Sequence, residues 1–150
     1  MIRDARPEDA AVVYRLICEL EEGANEAIEW EPFLAVCRRN LGDPNVCYRV
    51  AEEDGEVIGF VSLHVQWLLH HCGPVAELQE LIVSSSHRGK GLGVKLLEDM
   101  REEARRRGCL QIELCCNRKR EASNAFYGRH GFQKSHFKHT LKFAGEHPNQ

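Results

Sequence analysis

Apolar positions in the first third of the chain recur at helical spacing, and further on they recur at the spacing of strands. Ile2 to Ala5 read as a short strand. Pro7-Glu8-Asp9 then opens a helix, with proline and acids in its first turn, and Val12, Val13, Leu16, Ile17 and Leu20 form its buried stripe. Residues 21–31 are acidic and irregular and read as a loop in which Trp30 packs inward. Pro32 to Leu41 predict a second helix, stopped by Gly42-Asp43-Pro44-Asn45. From there the period shortens: Val46–Glu53 and Glu56–Trp67 read as strands joined by an Asp54-Gly55 hairpin turn. In the second strand, Val57, Val61, Leu63 and Val65 are expected mainly on one face. A break at Gly73-Pro74 precedes a central strand carrying Leu78, Leu81, Ile82 and Val83, where simple alternation sends Glu77 and Glu80 to opposite faces. Leu92, Leu96, Leu97, Met100 and Ala104 then form one helical stripe, with Gly108 as a stop. Leu110, Ile112 and Leu114 predict a strand parallel to the central one through a right-handed crossover. A short helix over Ala122–His130 follows, then a terminal strand over Phe132–Phe143 and a frayed tail at 144–150. The order β-α-α-β-β-β-α-β-α-β predicts a mixed α/β (α+β) fold, with a mostly antiparallel central sheet flanked by helices.

Size and composition narrow the function. A chain of 150 residues reads as one domain with room for a proper core. Apolar and charged fractions of 43% and 29% are those of an ordinary globular protein. No apolar run reaches the length of a membrane span, and the first residues lack a signal-peptide core, so a cytoplasmic location is expected. A net charge of −3, without a basic stripe, argues against nucleic-acid binding. Seven cysteines without C-x-x-C spacing suit reduced thiols better than disulfides or zinc.

The chemistry concentrates between the central strand and the helix after it. Arg88-Gly89-Lys90-Gly91-Leu92-Gly93 puts three glycines and two cations at a helix N-terminus. There, unpaired N–H groups and the positive dipole end suit a phosphate. A Walker loop would need Gly-Lys-Ser/Thr, and a dinucleotide loop G-x-G-x-x-G near a first strand. The pattern present is Arg-x-x-Gly-x-Gly, filled by Arg88, Gly91 and Gly93. Asn117 follows the next strand, and Asn124-Ala125-Phe126-Tyr127 stands ahead of Gly131-Phe132.

These motifs, over residues 77–132, resemble those of the GNAT superfamily of N-acetyltransferases. The resemblance implies acetyl-coenzyme A as co-substrate, seated on Leu81, Ile82, Val83, Arg88, Gly89, Lys90, Gly91, Leu92 and Gly93, with Asn117, Asn124 and Tyr127 on the cofactor side. It also implies a central parallel strand pair that splays to admit the pantetheine arm. Backbone amides around Leu81 to Val83 would polarise the thioester carbonyl. Tyr127 would protonate the leaving thiolate, and a core tyrosine with a satisfied hydroxyl is its alternative. Glu77 matches the position of a glutamate that some members use as a base through a water. Glu77 is therefore the favoured base and Glu80 the other candidate, and either is equally a structural ion-pair partner.

Outside the cofactor motif the chain is similar to the aminoalkylphosphonate N-acetyltransferase subgroup. The similarity rests on Leu16-Ile17-Cys18-Glu19-Leu20, Asp43-Pro44-Asn45, Gly55-Glu56-Val57, Leu63-His64, His70-His71, Gln79-Glu80-Leu81 and Ser135-His136-Phe137. It implies a small primary amine bearing a phosphonate, a divalent metal ion, and His64, His70, His71 and His136 as substrate-side residues. Adjacent histidines at a strand end are more often plain surface residues, and an extended strand would turn His70 and His71 apart. Arg15, Arg38 and Arg49 are other candidate partners for a phosphonate. The acidic residues Glu21, Glu22, Glu26, Glu29 and Glu31 keep a polyamine in view. An aminoglycoside, an amino acid or a protein N-terminus would need the same chemistry. A non-catalytic acyl-coenzyme A sensor and a metal site on His70, His71 and Cys72 are the remaining alternatives, and a homodimer stays open.

Overall fold

The computed structural model describes residues 1–20 and 27–143. Glu21, Glu22 and Glu26 of the acidic stretch, and the tail at 144–150, lie outside them. The chain divides into two compact units, Met1–Leu114 and Cys115–Gln150.

The first unit holds one five-stranded sheet in the order β1-β2-β3-β4-β5: β1 (Ile2–Asp4), β2 (Val46–Glu53), β3 (Glu56–Leu68), β4 (Gly73–Val83) and β5 (Ile112–Leu114). The first four strands run antiparallel, and β4 and β5 run parallel. At the β2–β3 turn Asp54 and Gly55 both have positive φ, 52° and 79°. A two-residue hairpin loop of that handedness matches the twist of its strands.

Helices cover both faces. On one side α1 (Ala10–Leu20) and α2 (Trp30–Leu41) enclose a cluster of Val13, Leu16, Val50, Phe60 and Ile82. On the other, α3 (Leu92–Arg106) buries Leu96, Leu97, Met100 and Ala104. Gly59 lets this helix approach: a Cβ there would stand 3.1 Å from Leu96 Cδ1 and 3.2 Å from Ile82 O. A sheet covered on both faces buries both sides of its middle strands. In β3, Phe60 and Val61 are therefore both buried; Val61, Leu63 and Val65 alternate onto one face as expected, while Val57 packs with the Phe60 cluster on the other.

Three further boundaries depart from the sequence reading. α2 begins at Trp30, whose ring stacks on Phe33 and meets Tyr14 edge-on, so aromatic packing extends the helix upstream of its proline. Gly73 and Pro74 belong to β4, opposite Leu68 and Trp67; the turn lies earlier, in a 3-10 turn at Leu69–His71. Residues 132–143 form no strand, and Phe137, Leu141 and Phe143 are exposed. An alternating pattern becomes a strand only where a partner edge receives it, and no ladder reaches this one. Cys115 and Cys116 lie past the end of β5, and all seven cysteines are free thiols. No helix among the described residues is long and apolar enough to cross a membrane.

An ionic network fastens α3 to the sheet. Arg49 of β2 reaches Asp99 (2.7 Å) and Glu103, and Arg106 and Arg107 close on Glu103 at 2.6 and 3.1 Å. This occupies Arg49 structurally and removes it from the candidate phosphonate partners. Burial pushes the Glu103 carboxyl up, but hydrogen bonds from Arg106, Arg49 and Arg107 outweigh it and hold the pKa at about 2, against 4.5 unperturbed. A folded pKa below the unfolded one gives stability that is full above the unfolded value and lost as pH falls through the folded one. Glu103→Gln should lower unfolding free energy at neutral pH by about 2 kcal/mol, since it leaves guanidiniums without their partner. Urea titrations between pH 5 and 2 should then show a flatter fall in stability than in the parent.

Candidate active site

The site starts from one extra residue. The ladder pairs Leu63 with Leu78 and Val61 with Leu81, so Gln79 and Glu80 of β4 together oppose Ser62 of β3. Such a β-bulge resets the alternation of its strand. Glu77 and Glu80, expected on opposite faces, therefore share the face of Phe60 and Ile82. Glu77 stands across from His64, and Glu80 from Ser62. Ser62 in turn pairs with Tyr48, and His64 with Val46.

Two rungs of polar side chains result, Tyr48–Ser62–Glu80 and His64–Glu77, on a face otherwise packed with hydrocarbon. Ser62 is fully buried. Its Oγ donates to Glu80 Oε1 at 2.7 Å and accepts the Glu80 N–H at 3.0 Å. The Tyr48 hydroxyl accepts from Asn40 Nδ2 of α2 at 2.6 Å, and its ring lies 6.4 Å from that of His64. Burial pushes the Tyr48 phenol up; the bond from Asn40 works against this and the Glu80 charge adds to it. Tyr48 thus stays neutral and able to donate at physiological pH. Sequence reasoning missed Asn40, Tyr48 and Ser62. The available signal was Ser62, a hydroxyl inside the apolar run Phe60–Leu63.

β4 also carries an open edge. Its ladder with β5 ends at Leu78↔Leu114. The Ser84 N–H donates to Ile58 O on the β3 side. Backbone alternation then directs the amides of Val83 and Leu81 to the other edge.

Beyond β4, a 3-10 turn at Ser85–His87 leads into the glycine loop. Glu19 of α1 pins its start by accepting the Ser85 N–H at 3.1 Å, and the Ser85 hydrogen bonds hold the Glu19 carboxyl below its usual range. Arg88 Nε donates to Val83 O at 3.2 Å, folding that cation back over the strand end. Gly89 and Gly91 take φ of +78° and +80°, the left-handed region that favours glycine. A Cβ at either would meet no protein atom within 4 Å. The loop is thus a cradle open to a ligand. α3 starts at Leu92 and Gly93 without a side-chain cap, so its first amides keep their capacity for an anion. Lys90 is exposed beside them. A pyrophosphate fits this donor set.

The second unit carries Asn117, α4 (Glu121–Arg129) and Tyr127. Asn124 Nδ2 donates to the carbonyls of Asn117 and Arg120, both at 2.9 Å, and Asn117 Oδ1 accepts the Lys119 N–H. Both asparagines brace the entry to α4. Tyr127 meets Phe126 and Phe132 edge-on, and burial raises its phenol pKa. A phenol held protonated is a competent proton donor. Tyr127→Phe should lower kcat by about 100-fold if it is the general acid, with coenzyme A affinity unchanged by titration calorimetry; equal turnover would leave it a packing residue. Residues 115–150 contain seven Lys or Arg against two Glu, whereas residues 1–114 contain thirteen against twenty-one acids.

The four histidines belong to three different segments of the chain. His64 lies on β3, and His136 belongs to the second unit, where its Nδ1 meets Ser135 Oγ at 2.7 Å. His70 and His71 sit in the 3-10 turn with ring centroids 4.4 Å apart, so the extended-strand divergence expected for them does not apply. Cys72 Sγ donates to Leu69 O. Among the described residues no three His, Cys, Asp or Glu side chains gather as a metal site.

The profile of the acetyltransferase (GNAT) family matches residues 11–132. The chain is 45% identical over 139 residues to the aminoalkylphosphonate N-acetyltransferase of Salmonella typhimurium (strain LT2), covering 93% of this chain and 88% of that protein. Solved structures share the fold. A transcriptional regulator of Bacillus halodurans C-125 superposes with a TM-score of 0.87 at 24% identity, covering 95% of this chain and 99% of that one. The ribosomal-protein-alanine N-acetyltransferase of Brucella melitensis biovar Abortus 2308 superposes at 0.76 with 18% identity and the same coverage.

Proposed function

This chain belongs to the GNAT family of acetyltransferases, and on that premise we propose that it acetylates the primary amine of a small aminoalkylphosphonate by direct attack in a ternary complex. The observation that carries the mechanism is the bulge at Gln79-Glu80, which gives one face of the sheet two carboxylates. Near-full-length similarity to the Salmonella enzyme supports the acceptor. Acetyl-coenzyme A supplies the acetyl group as an activated thioester. Gly89, Gly91 and the first amides of α3 would hold its pyrophosphate, with Arg88 and Lys90 adding charge.

Glu80 takes a proton from the substrate ammonium, because its carboxylate is fixed by Ser62 and a base must be aimed as well as basic. Glu77 and the phenol of Tyr48 hold the amine beside it. The amides of Leu81 and Val83 polarise the carbonyl as nitrogen attacks and the carbon–sulfur bond breaks. Tyr127 returns a proton to the sulfur. The divalent ion implied by the subgroup finds no donor set among the described residues.

The test is release of coenzyme A over a panel of amines, with and without a divalent metal. It would include aminomethyl- and aminoethylphosphonate, their carboxylate analogues, a polyamine and an aminoglycoside. Phosphonates turning over at higher kcat/KM than their carboxylate analogues support the reading. Preference for another amine keeps the acetyltransferase and discards the acceptor. Tight coenzyme A binding without turnover on any amine would point to a sensor.

A further inference from the structure

We infer that Ser62 is a positioning residue for the reaction: its buried hydroxyl locks the bulge of β4 and aims the Glu80 carboxylate at the acceptor amine. The inference rests on Glu80 being the base, and it adds the group that makes Glu80 suitable. Ser62 stands at the centre of its rung, opposite Tyr48 on one side and the bulge on the other. It is fully buried, so no water competes for its hydroxyl. A serine hydroxyl has one proton to donate and two lone pairs. Here the proton goes to Glu80 Oε1, and one lone pair accepts the N–H of the same residue.

Both bonds end on one residue, and that residue is one of the two that the bulge sets opposite Ser62. A bulged residue loses its regular ladder partner. Ser62 replaces that partner with a side chain and, in the same motion, fixes the carboxylate relative to the backbone. Other small residues fit the space, but Ala and Gly supply neither bond. The neighbouring rung provides the contrast: Glu77 faces His64, where no such double contact is observed.

A donor to a carboxylate favours its charged form, so removing the hydroxyl should move the acid limb of the kcat/KM profile to higher pH by roughly half a unit or more. Loss of aim should lower kcat by about 10- to 100-fold. The experiment compares Ser62→Ala, Ser62→Thr, Glu80→Gln and the parent chain, using the best acceptor of the amine panel. Coenzyme A affinity by calorimetry and melting temperature report folding. The expected result is that Ser62→Ala loses kcat and shifts the acid limb while binding coenzyme A normally, and that Ser62→Thr, which keeps the hydroxyl, recovers most of both. Ser62→Ala with parental kcat and pH profile would overturn the inference, as would equal losses in the Ala and Thr variants with normal coenzyme A binding. If Glu80→Gln itself retains parental turnover, the assignment of the base fails and the inference with it. A collapse of Glu80→Gln beside an unaltered Ser62→Ala sinks the role of Ser62 alone.

Discussion

Gly91→Asp should weaken coenzyme A binding by at least about 100-fold, through two separable effects. The first is conformational. Gly91 holds φ +80° at the residue before α3, and any side chain there costs about 1 kcal/mol. The second is electrostatic: a carboxylate placed at a helix N-terminus meant for an anion fills that place with its own charge. Gly91→Ala separates them. Protein atoms leave the position open, so Ala should fold with a small loss of stability, and any loss of affinity reports only the methyl against the ligand. Calorimetric titration with coenzyme A measures both variants. Parental affinity in Gly91→Asp would remove the glycine loop from the cofactor site.

Glu80→Gln is the second large effect. The side chain keeps its shape and can still accept from Ser62, so the bulge should persist. What is lost is the ability to take a proton, and kcat should fall by about 100-fold or more. The KM for the amine should change little. The sign of the pH dependence follows from the same group. The parent slows as pH falls and the base becomes protonated, whereas the Gln variant should lose that limb and follow the free-amine fraction of the substrate, its residual rate rising toward alkaline pH. Glu77→Gln provides the comparison: a residue that attracts the ammonium without accepting its proton should raise KM more than it lowers kcat. The opposite outcome, with Glu77→Gln losing kcat and Glu80→Gln losing only affinity, would exchange their roles.

The features legible in sequence were those written in one stretch of chain. Asp54-Gly55 announces a turn because both residues tolerate positive φ, and Leu96, Leu97 and Met100 announce a helix by spacing alone. Gly89 and Gly91 announce a backbone no other residue adopts cheaply, and both take it. What failed were features that depend on a partner. The alternation of Phe132 to Phe143 describes a surface able to pair, and no strand edge takes it up. The phase of Glu77 against Glu80 depends on how many residues β3 sets opposite them, which β4 alone cannot reveal. Tyr48 and Asn40 are 8 residues apart on different elements, and only the packing of α2 over β2 makes them a hydrogen-bonded pair.

The strand order has a consequence for how the chain acquires its structure. Each strand pairs with the one made before it, and the sheet runs β1 to β5 in the order of synthesis. No strand must be threaded between two already joined, so the sheet can grow at one edge as the polypeptide lengthens. The β2–β3 hairpin, closed by a two-residue turn, has the shortest loop to order and so the smallest entropic cost. The parallel pairing of β4 with β5 must wait for α3 to form and cross over, and it then gains only three residue pairs. The β5 edge is therefore the last of the sheet to be secured, and it stops at Leu78, short of the β4 amides of Leu81 and Val83.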